Sequence, residues 1–186
     1  MKIRVGRFLP CAALLVCIGA SVGYVDAAEV PAKRTIRDAT LLGRSWDVLE
    51  KNTDGSPECP WYPYRGCMPS VVGFRGVWNW DSAFIALALL RRDPDLAREQ
   101  YRIMMKIQLD DGMLPDVIWR ASKKGVFTGC TKPPVWGWAI WTIDQVAPDE
   151  TFLVDAYDSL VRYESFWRTR RFSGKDGLFR YDGNDL

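Results

Sequence analysis

Histidine is absent from all 186 residues of the sequence. That absence excludes Ser-His-Asp and Cys-His nucleophile systems and any His-ligated metal, so no metal or other cofactor is expected. A dominant charge is also missing. Lys and Arg number 25 against 23 Asp and Glu, for a net charge of +2. No basic stripe with interleaved aromatics forms, so nucleic acid is not an expected partner. After residue 27 every apolar run is broken by charge or proline before it reaches the roughly 20 residues a membrane span needs. Cysteine is scarce, with five in the chain, two of them (Cys11 and Cys17) near the start.

The first residues have the pattern of an export leader. Lys2, Arg4 and Arg7 form a positive start, Phe8 to Val25 an apolar stretch, and Val25-Asp26-Ala27 a small-residue exit. An uncleaved anchor is the competing reading, and Pro10, Gly19 and Gly23 speak for cleavage after Ala27. Val16 before Cys17 fits a lipidation site poorly. Residues 1–27 are therefore expected to be removed, leaving 28–186 as a secreted or periplasmic chain with no membrane attachment. In such an oxidising compartment Cys59 and Cys67, which flank a short loop, are expected to form a disulfide. Cys130 is then left over, and its partner is open.

Five helical segments follow, and their character alternates. Thr35 and Asp38 make a capping-box start for a helix carrying Ala39, Leu42, Trp46 and Leu49. A loop rich in Gly, Pro and Cys runs from Asn52 to about Gly76. Residues 81–90 are apolar on every side and should be buried all round. Asp93-Pro94 begins the next helix, with a stripe of Leu96, Ile103 and Ile107 and with Arg98, Glu99, Arg102 and Lys106 facing outward. The cycle then repeats. Pro133-Pro134 opens the all-apolar segment from Val135 to Trp141, and Pro148-Asp149 starts a helix striped with Ala156, Leu160, Tyr163 and Trp167. An enclosed helix followed by an amphipathic one, twice over, is the pattern of concentric layers. The fold class is therefore all-α, and no strand-like alternation suggests a central sheet.

All nine tryptophans lie beyond the leader, and their densest block is Gly73-Phe74-Arg75-Gly76-Val77-Trp78-Asn79-Trp80-Asp81-Ser82. A pyranose has an apolar C–H face that stacks on an indole and a rim of hydroxyls that a carboxylate can accept. Such charge-assisted hydrogen bonds are about twice as strong as neutral ones. The competing reading is that Asp81 or Asn79 caps a helix while both indoles are core. Asp110 and Asp111 before Gly112 suit a turn. Asp182, Asn184 and Asp185 miss the spacing of a calcium loop.

The run "WNWDSAF", then "MLPD" after "QLDDG", then "TKPPVWGWAI" resembles, in this order, glycoside hydrolase family 63 and its mannosylglycerate hydrolases. The trehalases share the fold, but Gly73-Phe74-Arg75-Gly76 departs from their Gly-Gly-Arg-Phe segment. The resemblance runs from about Thr35 to Leu186. It implies an (α/α)6 barrel, here about half of the toroid, and inverting hydrolysis of an α-linked glucoside or related small glycoside. It also implies that Trp78, Trp80 and Asp81 contact substrate, with Asn79, Lys132 and Trp136 as further candidates. Core packing competes at Trp136, and a solvated loop at Lys132. A lysine at position 132, often glutamine in relatives, suggests an acidic or differently shaped substrate. In relatives the catalytic acid lies in a Glu-Ser-Gly-x-Asp segment, which these residues lack, and the base lies far beyond. No catalytic residue is therefore assigned, and a fragment of an N-terminal part is expected. The alternative is a secreted carbohydrate-binding protein without hydrolysis.

Overall fold

The computed structural model describes residues 32–121, 126–127 and 131–180. The leader, Cys130 and the Asp182–Asp185 segment lie outside the described residues. The chain divides into two units, Met1–Thr40 and Leu41–Leu186. Five helices dominate: α1 (Ala32–Lys51), α2 (Asn79–Leu89), α3 (Pro94–Lys106), α4 (Trp136–Val146) and α5 (Glu150–Phe166). The last of these runs on into a π-helical turn, Trp167–Arg171.

Local chemistry explains several of these boundaries. Asp93 accepts the Leu96 N–H at 2.8 Å with Pro94 next in line, and Asp149 accepts the Phe152 N–H at 3.0 Å. Both caps satisfy amides that a helix start leaves without partners. The α1 helix, by contrast, begins at Ala32 and runs straight through Thr35, so the expected capping box does not start it.

Two small antiparallel sheets sit at the helix mouths. One pairs β1 (Thr53–Asp54) with β2 (Gly66–Cys67). The other orders β3 (Gly76–Trp78), β4 (Val117–Trp119) and β5 (Val126–Phe127). Strands of two or three residues are too short to show alternation in a sequence, which is why none was expected. Gly76 is needed for the β3–β4 approach, because a β-carbon there would lie 2.8 Å from the Ile118 carbonyl oxygen.

The core forms where α2, α3, α4 and α5 pack together around Leu89, Tyr101, Ile103, Met104, Trp136, Ile140, Ile143 and Tyr163. The stripe expected on α5 is enclosed at Ala156, Tyr163 and Trp167. Three expectations need correction. First, α2 and α4 are not covered all round. Trp80, Phe84, Trp138 and Trp141 stand exposed, linked by ring contacts of 5.9 Å (Trp80–Phe84) and 5.8 Å (Phe84–Trp138). Second, Arg98 points inward and is buried, bonded to Asp95 and the Ala147 carbonyl, because α5 begins where periodicity alone would leave solvent. Third, Cys59 and Cys67 are separate buried thiols rather than a disulfide. The loop between them is built around the fully buried Trp61, whose Nε1–H donates to the Asp54 carbonyl at 2.7 Å. Each sulfur faces a different neighbour, Cys59 the Ser56 hydroxyl and Cys67 the Leu49 carbonyl, both at 3.5 Å. Burial pushes both thiols up.

The turn after α3 yields a stability test. Gly112 has φ of +92°, and an added β-carbon would lie 2.2 Å from the Arg162 carbonyl oxygen. Gly112→Ala therefore combines left-handed strain with a backbone clash and should cost about 2–3 kcal/mol. For a chain of this size that lowers Tm by roughly 5–10 °C. Thermal unfolding followed by circular dichroism reads it, and an unchanged Tm would show that the turn can move away from Arg162.

Candidate sugar-binding site

Three chain segments meet at the mouth of α2. The first is the corner between β3 and α2. Val77 points into the core, Trp78 is extended, and the helix starts at Asn79 with no side-chain cap. The second is the loop Met113–Asp116 leading into β4, and the third is the loop Thr131–Pro134 leading into α4.

Asn79 ties these segments together. Its backbone N–H donates to the Asp116 carbonyl at 2.8 Å and its Nδ2 donates to the Pro115 carbonyl at 3.0 Å. Its Oδ1 accepts the Trp136 Nε1–H at 3.0 Å. Asn79 and Trp136 are both fully buried, and the Trp136 ring packs on Tyr101 at 4.9 Å. Both side chains are enclosed, and packing with mutual hydrogen bonding accounts for them. Their polar atoms satisfy one another, as buried polar groups must, and in doing so they fix the strand-to-helix corner against α4.

The remaining four expected residues are half-buried or exposed. Trp80 and Asp81 both reach solvent on the first turn of α2. The Asp81 carboxylate makes no hydrogen bond among the described residues, so helix capping does not account for it. Trp78 is half-buried, edge-on to Phe74 at 5.5 Å and to Trp119 at 5.4 Å. Trp119 also lines an open cleft of about 230 Å³, together with Val72, Gly73, Arg75, Arg120 and Ala121. Lys132 lies 3.5 Å from Oδ1 of Asp116, with its side chain 35% exposed.

Asp116 and Ser82 were not singled out from the sequence. The Asp116 side chain is only 4% exposed, and Ser82 is fully buried. Nε1 of Trp78, Oγ of Ser82 and Oδ1 of Asp116 are all buried without a hydrogen-bond partner. Trp78 immediately precedes α2 in extended conformation, Ser82 lies in the first turn of α2, and Asp116 accepts the Asn79 N–H through its backbone carbonyl. Leaving such groups unmade costs about 1–3 kcal/mol each, which a polar ligand would offset. Burial pushes the Asp116 carboxyl up, the Lys132 ammonium opposes this, and the nearby Asp81 charge adds to the rise; the net shift is upward.

The mannosylglycerate hydrolase MGH1 of Selaginella moellendorffii is 30% identical over 106 residues, covering 55% of this chain and 19% of its own length. The mannosylglycerate hydrolase of Thermus thermophilus is 33% identical over 95 residues, covering 49% of this chain and 19% of its own length. That of Rubrobacter radiotolerans is 23% identical over 177 residues, 81% of this chain and 37% of the relative. The matches therefore span well under two thirds of these relatives' lengths. In fold the chain is similar to the crystal structure of a GH63 mannosylglycerate hydrolase from Thermus thermophilus in complex with Tris and D-glycerate. The TM-score is 0.61 at 22% identity, over 75% of this chain and 35% of that one. Residues 75–185, from the β3 corner through α5 and beyond, match the mannosylglycerate hydrolase MGH1-like glycoside hydrolase domain, and the chain belongs to that family.

Proposed function

We propose that the mouth of α2 holds the sugar ring of an α-linked glucoside or related small glycoside, mannosylglycerate among them, in the active site of an inverting glycoside hydrolase. The observation that carries this reading is the set of unmatched buried polar atoms of Trp78, Ser82 and Asp116 beside the exposed Trp80 and Asp81. An indole face suits the ring's C–H surface, and Asp81 and Asp116 suit its hydroxyls. Inverting hydrolysis needs an acid and a base carboxyl roughly 6.5–9.5 Å apart on opposite faces of the sugar. The resemblance to family 63 puts the catalytic acid in a segment absent from the sequence, so Asp81 and Asp116 are read as hydroxyl acceptors and not as that pair. The reading further supposes an exported chain, with the leader removed after Ala27.

Tryptophan fluorescence tests it, since Trp78 and Trp80 would sense a stacked sugar. Titration with mannosylglycerate and methyl α-D-mannopyranoside should give a saturable change. Asp81→Ala should weaken binding at least about tenfold, the effect of losing one charge-assisted hydrogen bond of about 1.5–3 kcal/mol. Equal binding by the variant would remove Asp81 from the site.

A further inference from the structure

Lys132 lies 3.5 Å from the enclosed Asp116, and its surroundings decide what its charge does. The loop that carries it is clamped from two sides. The Tyr163 hydroxyl on α5 donates to the Lys132 carbonyl at 3.0 Å, and Arg171 in the π-helical turn donates to the Thr131 hydroxyl at 2.7 Å. A side chain on so fixed a backbone is aimed, and it is aimed at Asp116. The separation is 3.5 Å, while Oδ1 of Asp116 has no hydrogen bond. The ion pair thus leaves acceptor capacity unused. A carboxylate has about four lone-pair sites, and a lysine at 3.5 Å supplies charge without filling them.

The other charged group facing Asp116 is Asp81, on the first turn of α2. Two carboxyl groups at one mouth, one almost entirely enclosed, favour a proton on the enclosed one. A protonated Asp116 would keep a carbonyl acceptor but lose its charge, and with it the charge-assisted bond to a sugar hydroxyl. A nearby cation opposes that rise without cancelling it, since the net shift of Asp116 stays upward. We propose that Lys132 is a positioning residue of the sugar site, holding Asp116 as an open carboxylate for hydroxyls of a neutral ring, and that it is not an anchor for an acidic substrate group. The assignment of Asp116 to a sugar rests on the function proposed above; the hold of Lys132 on Asp116 does not.

The two parts separate experimentally. Carbon-13 NMR of the chain labelled at its aspartate carboxyls follows the Asp116 titration directly, with Asp116→Asn identifying the signal. In Lys132→Met the midpoint should rise by about one to three pH units, the size of effect expected when an opposite charge within 4–6 Å is removed. Lys132→Arg should restore it. Methyl α-D-mannopyranoside should bind Lys132→Met about tenfold more weakly between the two midpoints and recover at higher pH. A purely structural loss would not recover with pH. An Asp116 midpoint that stays in place in Lys132→Met overturns the proposal. So does loss of affinity for mannosylglycerate with unchanged affinity for the neutral methyl mannoside, which is the result expected of an anion anchor. A shifted midpoint with no sugar binding at any pH sinks the sugar reading alone and leaves the Lys132–Asp116 coupling established. Where the methionine variant does not fold by circular dichroism, Lys132→Gln removes the charge at similar length and gives the same readings.

Discussion

The 186-residue chain, purified alone, is expected to release no sugar from trehalose, kojibiose, nigerose or mannosylglycerate above the level of an Asp81→Ala control. The family is one of glycoside hydrolases, so the expectation rests on which groups the chain brings to the site. The sequence contains no Glu-Ser-Gly-x-Asp segment, where the resemblance to family 63 puts the acid. Under the function proposed for the site, the carboxyl groups at the α2 mouth accept sugar hydroxyls. Asp116 is enclosed beside Lys132, and Asp81 sits in the first turn of α2. Removing one member of an acid–base pair typically costs several orders of magnitude in rate, and the proposed reading assigns neither member to the residues at the α2 mouth. Binding without turnover is the expected combination, with fluorescence responding to mannosylglycerate while no glycerate appears in the supernatant. Sugar release well above the Asp81→Ala control would place the catalytic pair inside these residues and return Asp81 and Asp116 to candidacy as acid and base.

What the sequence made legible, and what it hid, follows the range of the interactions involved. The α3 and α5 starts are visible because Asp93 and Asp149 reach amides only three residues away. The α5 stripe is visible because a helix that packs on one face repeats at its own period. Trp80 and Asp81 draw attention because an indole–carboxylate block has a chemistry of its own, and both stand exposed on α2. Asn79 sits in that same block and is buried, its partner Trp136 57 residues distant. No local pattern distinguishes a sugar contact from a buried brace when the brace is long-range. Asp116 is hidden for the same reason. In Leu114-Pro115-Asp116 it has the composition of a turn, and only the Asn79 N–H and Lys132, from two other segments, show it as part of the site's floor. Arg98 was placed outside by periodicity and is enclosed because α5 begins beside it. Cys59 and Cys67 lie close in sequence, yet the indole of Trp61 organises the loop between them.

Trp136→Ala should be the most damaging single substitution at the site, although its side chain touches no solvent. The ring is fully buried between Tyr101 and the Asn79 amide. Truncating a core tryptophan to alanine costs about 3–5 kcal/mol through lost burial and the cavity left behind. The same change leaves Oδ1 of Asn79 buried without its donor, adding about 1–3 kcal/mol. Against a typical total of about 5–15 kcal/mol, the variant should lose a large share of its stability, and a fold at the lower end of that range would not survive the change. Trp136→Phe separates the two effects. It keeps most of the ring packing and removes only the indole N–H, so its cost should approach that of the unpaired amide, about 2 kcal/mol, with an unchanged urea m-value. Its consequence for function is then readable in a folded protein. With Oδ1 unpaired, Asn79 no longer has all three of its anchors. The corner that presents Trp78, Trp80 and Asp81 should loosen, and sugar affinity should fall several-fold although no sugar contact has been altered. Sugar binding equal to wild type in a folded Trp136→Phe would confine Asn79 and Trp136 to stability alone. A loss under about 1 kcal/mol in Trp136→Ala would contradict the enclosed position of the ring itself.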